Sequence, residues 1–107
     1  MENNFSSQDI KKVIIHLKNK NVILTQNKNV EKFEKNWSKW LGVKYSVFVN
    51  SGSSANLLSI SIIKNLSKKR NKIILPALTW SSDVSSVIHN NLKPVFVDIN
   101  PDTLSMN

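Results

Sequence analysis

Between residues 7 and 18, apolar side chains fall at Ile10, Val13, Ile14 and Leu17. That spacing predicts a one-faced helix, with Ser6 or Ser7 where an N-cap belongs. Residues 22–24 form a short apolar stretch that could be extended. A stronger amphipathic pattern covers residues 28–41. Val30, Phe33, Trp37 and Trp40/Leu41 line one side, and Glu31, Lys32, Glu34, Lys35 and Lys39 occupy the rest. Asn27 can cap this helix and Gly42 can end it.

From residue 45 onward the period alternates. Residues 45–50 read as a strand, 53–65 as a helix, and 72–75 as a strand that Pro76 closes. A helix follows over 80–90, with Trp80, Val84, Val87 and Ile88 on one stripe, and then a strand over 94–99. This β-α-β-α-β order predicts a parallel sheet with right-handed crossovers, the α/β class in three layers (α/β/α). The strands are apolar runs, as expected for strands covered on both faces. Helix 53–65 is apolar nearly all round, which predicts that it is sandwiched. Three parallel strands leave open edges, so the chain is expected to be the front part of a longer protein. No internal repeat or low-complexity linker interrupts it.

Composition changes this picture little. The formal net charge is +8, but Arg70 is the only arginine, and lysine, asparagine and isoleucine are enriched along the whole chain. A built nucleic-acid surface calls for arginine forks. The one dense basic cluster, Lys68-Lys69-Arg70 with Lys72, falls in a predicted loop, so no nucleic-acid partner is expected. The absence of cysteine excludes disulfides and thiolate metal sites. His16 and His89 are far apart and lack metal-ligand spacing, so no metal is expected. The N-terminus lacks the basic and apolar regions of a signal peptide, and no apolar run is long enough to span a membrane. A cytoplasmic protein without a membrane partner is expected. Two glycines cannot make the dinucleotide fingerprint, and no Gly-Lys-Ser/Thr sequence supplies a P-loop. The nucleophile elbow lacks its flanking glycines.

One constellation carries chemistry. The run YSVFVNSGSSANLL, residues 45–58, predicts a strand, a tight turn at Gly52 and a helix start crowded with Ser51, Ser53 and Ser54. Unpaired N–H groups and the dipole make such a helix start able to hold an anion. Trp80 follows the next strand. In an open α/β sheet, ligands bind outside the carboxyl ends of the strands, so the serines and the indole belong to one edge. Phosphate donors beside an aromatic plate suit a phosphorylated flat ring, and pyridoxal phosphate is such a ligand. Gly52 and its serines also fit a plain strand-to-helix turn, and Trp80 also fits a core position. Trp37 and Trp40 fit core or interface positions, His16 and His89 surface or capping positions. Asn50 and Asn56 can bond the turn backbone.

The segments NSGSSANLL, ILPALTW and KPVFVDINPDTLSMN, in this order, resemble the sugar aminotransferase family of the DegT/DnrJ/EryC1/StrS type. The preceding EKFEKNWSKWLGVKYSVFV is similar to that family's helix and first strand. The resemblance covers about residues 22–107. It implies a pyridoxal-phosphate enzyme of the aspartate-aminotransferase fold (fold type I), with 1–21 as an N-terminal helical segment and 22–107 as the front portion of the large cofactor-binding domain. It implies a nucleotide-sugar substrate, an amino-acid donor and a homodimer. The family's Gly-Thr/Ser-x-Ala turn matches Gly52-Ser53-Ser54-Ala55, so by resemblance Gly52, Ser53 and Ser54 hold the cofactor phosphate and Trp80 stacks on its ring. Asp98 matches a strand-end acid of the family without a cofactor role. SGSSANLL is closest in wording to the sugar 3-dehydrase branch, in which a histidine replaces the Schiff-base lysine. By resemblance that lysine, and the aspartate that pairs with the pyridine nitrogen, lie beyond residue 107. These residues alone are therefore expected to be inactive, with no catalytic residue among them. The alternative is a non-catalytic α/β fragment that binds a phosphate-bearing ligand.

Overall fold

The structure, a computed structural model, describes residues 4–107. Its elements run α1 (Ser7–Leu17), α2 (Lys28–Leu41), α3 (Gly52–Leu66), β1 (Lys72–Pro76), α4 (Ser81–His89) and β2 (Lys93–Val97). The chain divides into two compact units after Phe48.

In the first unit α1 starts with a reciprocal capping box. The Asp9 N–H donates to Ser6 Oγ at 3.2 Å, and the Ser6 N–H donates back to Asp9 Oδ2 at 3.0 Å. The Ser6 hydroxyl also donates to that carboxylate at 2.6 Å. These bonds favour the charged carboxylate and hold the Asp9 pKa below its ordinary value. A lowered folded-state pKa stabilises the helix above the unfolded pKa, and that contribution is lost as pH falls through the folded value. Acid titration followed by far-UV circular dichroism is therefore expected to show α1 fraying below the ordinary carboxylate range. Asp9→Asn is expected to remove that step.

Helix α2 starts at Asn27, whose Oδ1 accepts from the Asn29 N–H at 2.8 Å. It ends at Gly42, whose φ of 75° requires the left-handed freedom of glycine. Buried Ser38 donates to Ser46 Oγ at 2.8 Å. Phe33 stacks on Trp37 at 5.9 Å and meets Phe48 edge-on at 5.4 Å, and Trp40 tilts against Trp37 at 4.9 Å. Trp37 and Trp40 nevertheless remain exposed among the described residues. Residues 22–24 join no ladder.

In the second unit β1 and β2 pair in parallel, from Lys72↔Lys93 to Pro76↔Val97. Pro76 is tolerated because it ends its strand, and the Ala77 N–H extends the pairing to Val97 O at 2.8 Å. Helix α4 packs on this sheet and against α3. Val87 of α4 is fully buried, and Leu92, which leads into β2, is buried five residues on.

Three features differ from what the sequence predicts. Residues 45–50 form no strand. Their composition suits one, but a strand exists only with a ladder partner, and no described segment offers one. The Phe48 N–H donates instead to the Glu34 carboxylate at 2.7 Å. Helix α3 is not sandwiched: α4 covers one side, and Leu58, Ile62 and Ile63 stay exposed. The strands are covered on one face only, so Ile74 and Phe96 are exposed while Ile73, Leu75, Val95 and Val97 are half-buried. A single helix on a two-stranded sheet can shield only one side.

Candidate functional site

The start of α3 is built by Ser51. Its backbone is extended (φ −160°, ψ 161°), and its hydroxyl oxygen accepts from the Ser54 N–H at 3.2 Å. Its carbonyl accepts the Ala55 N–H at 3.1 Å, the first helical bond. Of the four donors that a helix start leaves unpaired, the Ser54 N–H is thereby used. The N–H groups of Gly52 and Ser53, and the exposed Ser53 hydroxyl, find no acceptor among the described residues. The Ser54 hydroxyl is already committed, donating to Asn50 Oδ1 at 2.7 Å.

Gly52 is the first helical residue and makes no left-handed turn. A Cβ built there would meet nothing within 4 Å. The protein itself therefore gives no steric reason for glycine, and its missing side chain leaves open space directly before the free donors. A helix start with free donors and the positive end of its dipole has the chemistry to hold an anion. The cationic run Lys68-Lys69-Arg70 follows the opposite, C-terminal end of α3 and is exposed.

Trp80 occupies the N-cap position of α4 and is 81% exposed. The helix begins one residue later than the stripe predicts, so the indole leads the helix and does not enter the core. Leu78, Thr79 and Trp80 line a hollow of about 440 Å³.

A hydrogen-bond chain joins the two helix starts. The Thr79 hydroxyl donates to Asp83 Oδ2 at 2.5 Å, and the Asn56 amide donates to Asp83 Oδ1 at 2.6 Å. Just past the end of α4 the Asn90 amide donates to Leu57 O, next to Asn56 on α3, at 3.2 Å, and Lys64 Nζ of α3 donates to Asn90 O at 2.6 Å. The Asn56–Asp83–Thr79 chain ties the N-terminal half of α3 to the tryptophan loop. Asn56, Thr79 and Asp83, with Ile60, Leu75 and Pro76, line a cleft of about 360 Å³ there.

Of the residues singled out in the sequence, the structure gives Gly52 and Ser53 free donors, leaves Trp80 open, and occupies both donors of Ser54. Asn50 and Asn56 bond side chains, not the turn backbone. Ser51 as the cap and Asp83 as the link were not among the predicted site residues. A serine directly before a helical glycine signals the first. An acid three residues into a helix reads as a dipole partner, so nothing local marked Asp83. His16 and His89 are exposed, each in the last turn of its helix. Asp98 accepts the Ile99 N–H at 2.8 Å just beyond β2. No described helix is long and apolar enough to cross a membrane.

Known proteins are similar to this chain in sequence and in fold. The sequence profile of the DegT/DnrJ/EryC1/StrS aminotransferase family matches residues 4–107. The chain is 36% identical over 88 residues to GDP-4-keto-6-deoxy-D-mannose 3-dehydratase of Yersinia pseudotuberculosis, covering 78% of this chain and 22% of that protein. It is 34% identical over 83 residues to spore coat polysaccharide biosynthesis protein SpsC of Bacillus subtilis, covering 78% and 21%. The solved structure of the E. coli GDP-4-keto-6-deoxy-D-mannose-3-dehydratase with bound hydrated PLP superimposes with a TM-score of 0.81 at 32% identity, over 99% of this chain and 28% of that one. Helicobacter pylori PseC, an aminotransferase involved in the biosynthesis of pseudoaminic acid, gives 0.77 at 31% identity, over 94% and 27%. The fold is therefore α/β, that of these enzymes, and the 107 residues span between a fifth and three tenths of their length.

Proposed function

The chain belongs to the DegT/DnrJ/EryC1/StrS aminotransferase family, and from that premise we propose that residues 22–107 are the front portion of a pyridoxal-phosphate-binding domain. Residues 1–21 are the segment ahead of it, in which the described residues contribute α1. The whole protein is a cytoplasmic homodimer that uses an amino-acid donor to aminate a nucleotide-linked keto-sugar for surface-polysaccharide synthesis. The observation that carries the cofactor reading is the start of α3. Two free N–H groups and a free hydroxyl face open space at Gly52, and the exposed Trp80 indole lies in the loop tied to the same helix.

These residues fit the cofactor. The Gly52 and Ser53 N–H groups and the Ser53 hydroxyl would hold the phosphate by charge-assisted bonds. Ser51 and Asn50 keep the turn in shape by holding Ser54. Trp80 would stack on the pyridine ring and shield it from water. Pyridoxal phosphate, when bound, supplies an electron sink for charge developing on the substrate. No described lysine lies in this cradle: Lys64, the one bonded within this unit, serves Asn90 near the far end of α3. The 107 residues alone are therefore proposed to hold the cofactor without turnover.

A second reading has its own support. Two of the matched relatives, from Y. pseudotuberculosis and E. coli O55:H7, are 3-dehydratases at 36% and 38% identity, which supports an alternative in which the whole protein eliminates water. Incubating the whole protein with a nucleotide-linked keto-sugar and an amino-acid donor separates the two. Nitrogen retained in the sugar marks an aminotransferase, and loss of the C3 hydroxyl marks a dehydratase.

The cofactor reading is tested with pyridoxine 5′-phosphate, which lacks the aldehyde that would react with surface lysines. Saturable binding is expected, with quenching of tryptophan fluorescence. Ser53→Ala is expected to weaken it about fivefold and Trp80→Ala about tenfold. Binding that ignores both substitutions would remove the site from α3.

A further inference from the structure

We propose that Asp83 is a positioning residue that fixes the Trp80 indole relative to the phosphate-holding start of α3. The inference rests on the cofactor reading above and adds the element that makes its two halves one site. The tryptophan half is otherwise weakly constrained. Trp80 makes no side-chain capping bond and is 81% exposed. Its loop, residues 77–80, leaves β1 and carries only the backbone bonds at its ends, from the Ala77 N–H to Val97 O and from the Asp83 N–H to Trp80 O at 3.0 Å.

Asp83 closes this loop onto α3 with both carboxylate oxygens. One accepts from Thr79, the residue directly before the tryptophan. The other accepts from Asn56, one helical turn along from Gly52. A carboxylate is suited to this task because it offers two acceptors in one rigid plane and no donor. The pair of bonds spans 27 residues of sequence between Asn56 and Asp83, and it is a direct side-chain link between the helix that holds the phosphate and the turn that holds the plate. A site held by such supporting bonds loses affinity when the support is removed, even though the contacting groups remain.

The link also makes the effect selective. Inorganic phosphate uses only the start of α3, so its binding is indifferent to where Trp80 stands. A phosphorylated ring uses both, so its binding depends on their spacing. Asp83→Ala removes both acceptors. Asp83→Asn can keep both bonds, since its oxygen accepts from Asn56 and its amide donates to a reoriented Thr79 hydroxyl.

The experiment uses the full chain with Trp37→Phe and Trp40→Phe, which leaves Trp80 as the single tryptophan to excite selectively. Time-resolved anisotropy reports the indole's freedom without ligand. Titrations with pyridoxine 5′-phosphate and with inorganic phosphate report the two kinds of binding. Asp83→Ala is expected to raise the fast-depolarising amplitude about twofold and to weaken pyridoxine phosphate about tenfold, with phosphate affinity unchanged. Asp83→Asn is expected to restore both readouts. Unchanged anisotropy in Asp83→Ala overturns the proposal. So does an equal loss of both ligands, which would make Asp83 a support of α3 alone. Failure of the unsubstituted chain to bind pyridoxine phosphate, with the anisotropy change intact, instead overturns the cofactor reading and leaves the link standing.

Discussion

Gly52→Asp is expected to abolish binding of phosphate esters while leaving α3 folded. A Cβ at this position has open space around it, so the first atom of a side chain is accommodated. An acid in the first helical turn also interacts favourably with the helix dipole. The same carboxylate would compete for the free N–H groups of Gly52 and Ser53 and would repel an incoming phosphate. Like charges about 4 Å apart near a protein surface repel by up to ~4 kcal/mol, so a loss of about a hundredfold or more is expected. Gly52→Ala sharpens the test, because alanine favours the helix over glycine by about 0.5–1 kcal/mol. That variant is expected to melt at the same or a higher temperature and yet bind pyridoxine 5′-phosphate more weakly. Calorimetric titration paired with thermal denaturation measures both. A Gly52→Asp chain that binds as well as the parent would show that the phosphate sits elsewhere.

Val87→Asp is expected to unfold the second unit. Val87 is the one side chain among the described residues that is fully buried. It stands where α4 meets the sheet, and its carbonyl accepts the Leu92 N–H at 3.1 Å, so the same residue fixes the entry into β2. A carboxylate there would be buried without a partner, at a cost of several kcal/mol. Small domains have only about 5–15 kcal/mol in total, and this unit has few buried groups to offset the loss. Val87→Ala removes about two methyl groups and is expected to destabilise by about 2 kcal/mol. Urea denaturation followed by circular dichroism distinguishes the two, with a lowered midpoint for alanine and no cooperative transition in the second unit for aspartate. A wild-type midpoint in Val87→Asp would place the core elsewhere.

The elements that local chemistry determines were legible in the sequence. Ser6, Asn27 and Gly42 end their helices in the structure as their residue types require. Val87 lies on the predicted stripe of Trp80, Val84, Val87 and Ile88, and it is the buried one. Residues 45–50 were not legible in the same way, because a strand depends on a partner that local sequence does not name. The exposed faces of α3, Ile74 and Phe96 follow the same logic: apolar composition shows that a surface suits burial, not what covers it. At the candidate site the glycine and serines were visible from composition and position. The commitment of the Ser54 hydroxyl to Asn50 was not, since it depends on the extended backbone at Ser51. The Asp83 link joins residues brought together only by the packing of α4 on α3.

The register of the sheet has a kinetic consequence. Lys72 lies beside Lys93, so the two strands pair across a short stretch of chain filled mostly by α4. Closing a loop of that size costs little entropy, and local pairings form early. The β1–α4–β2 segment is therefore suited to be the folding nucleus of its unit, with Val87 at its centre. Helix α3 can then dock through Asn90 and Asp83, so the tryptophan loop is framed before the serine turn arrives beside it.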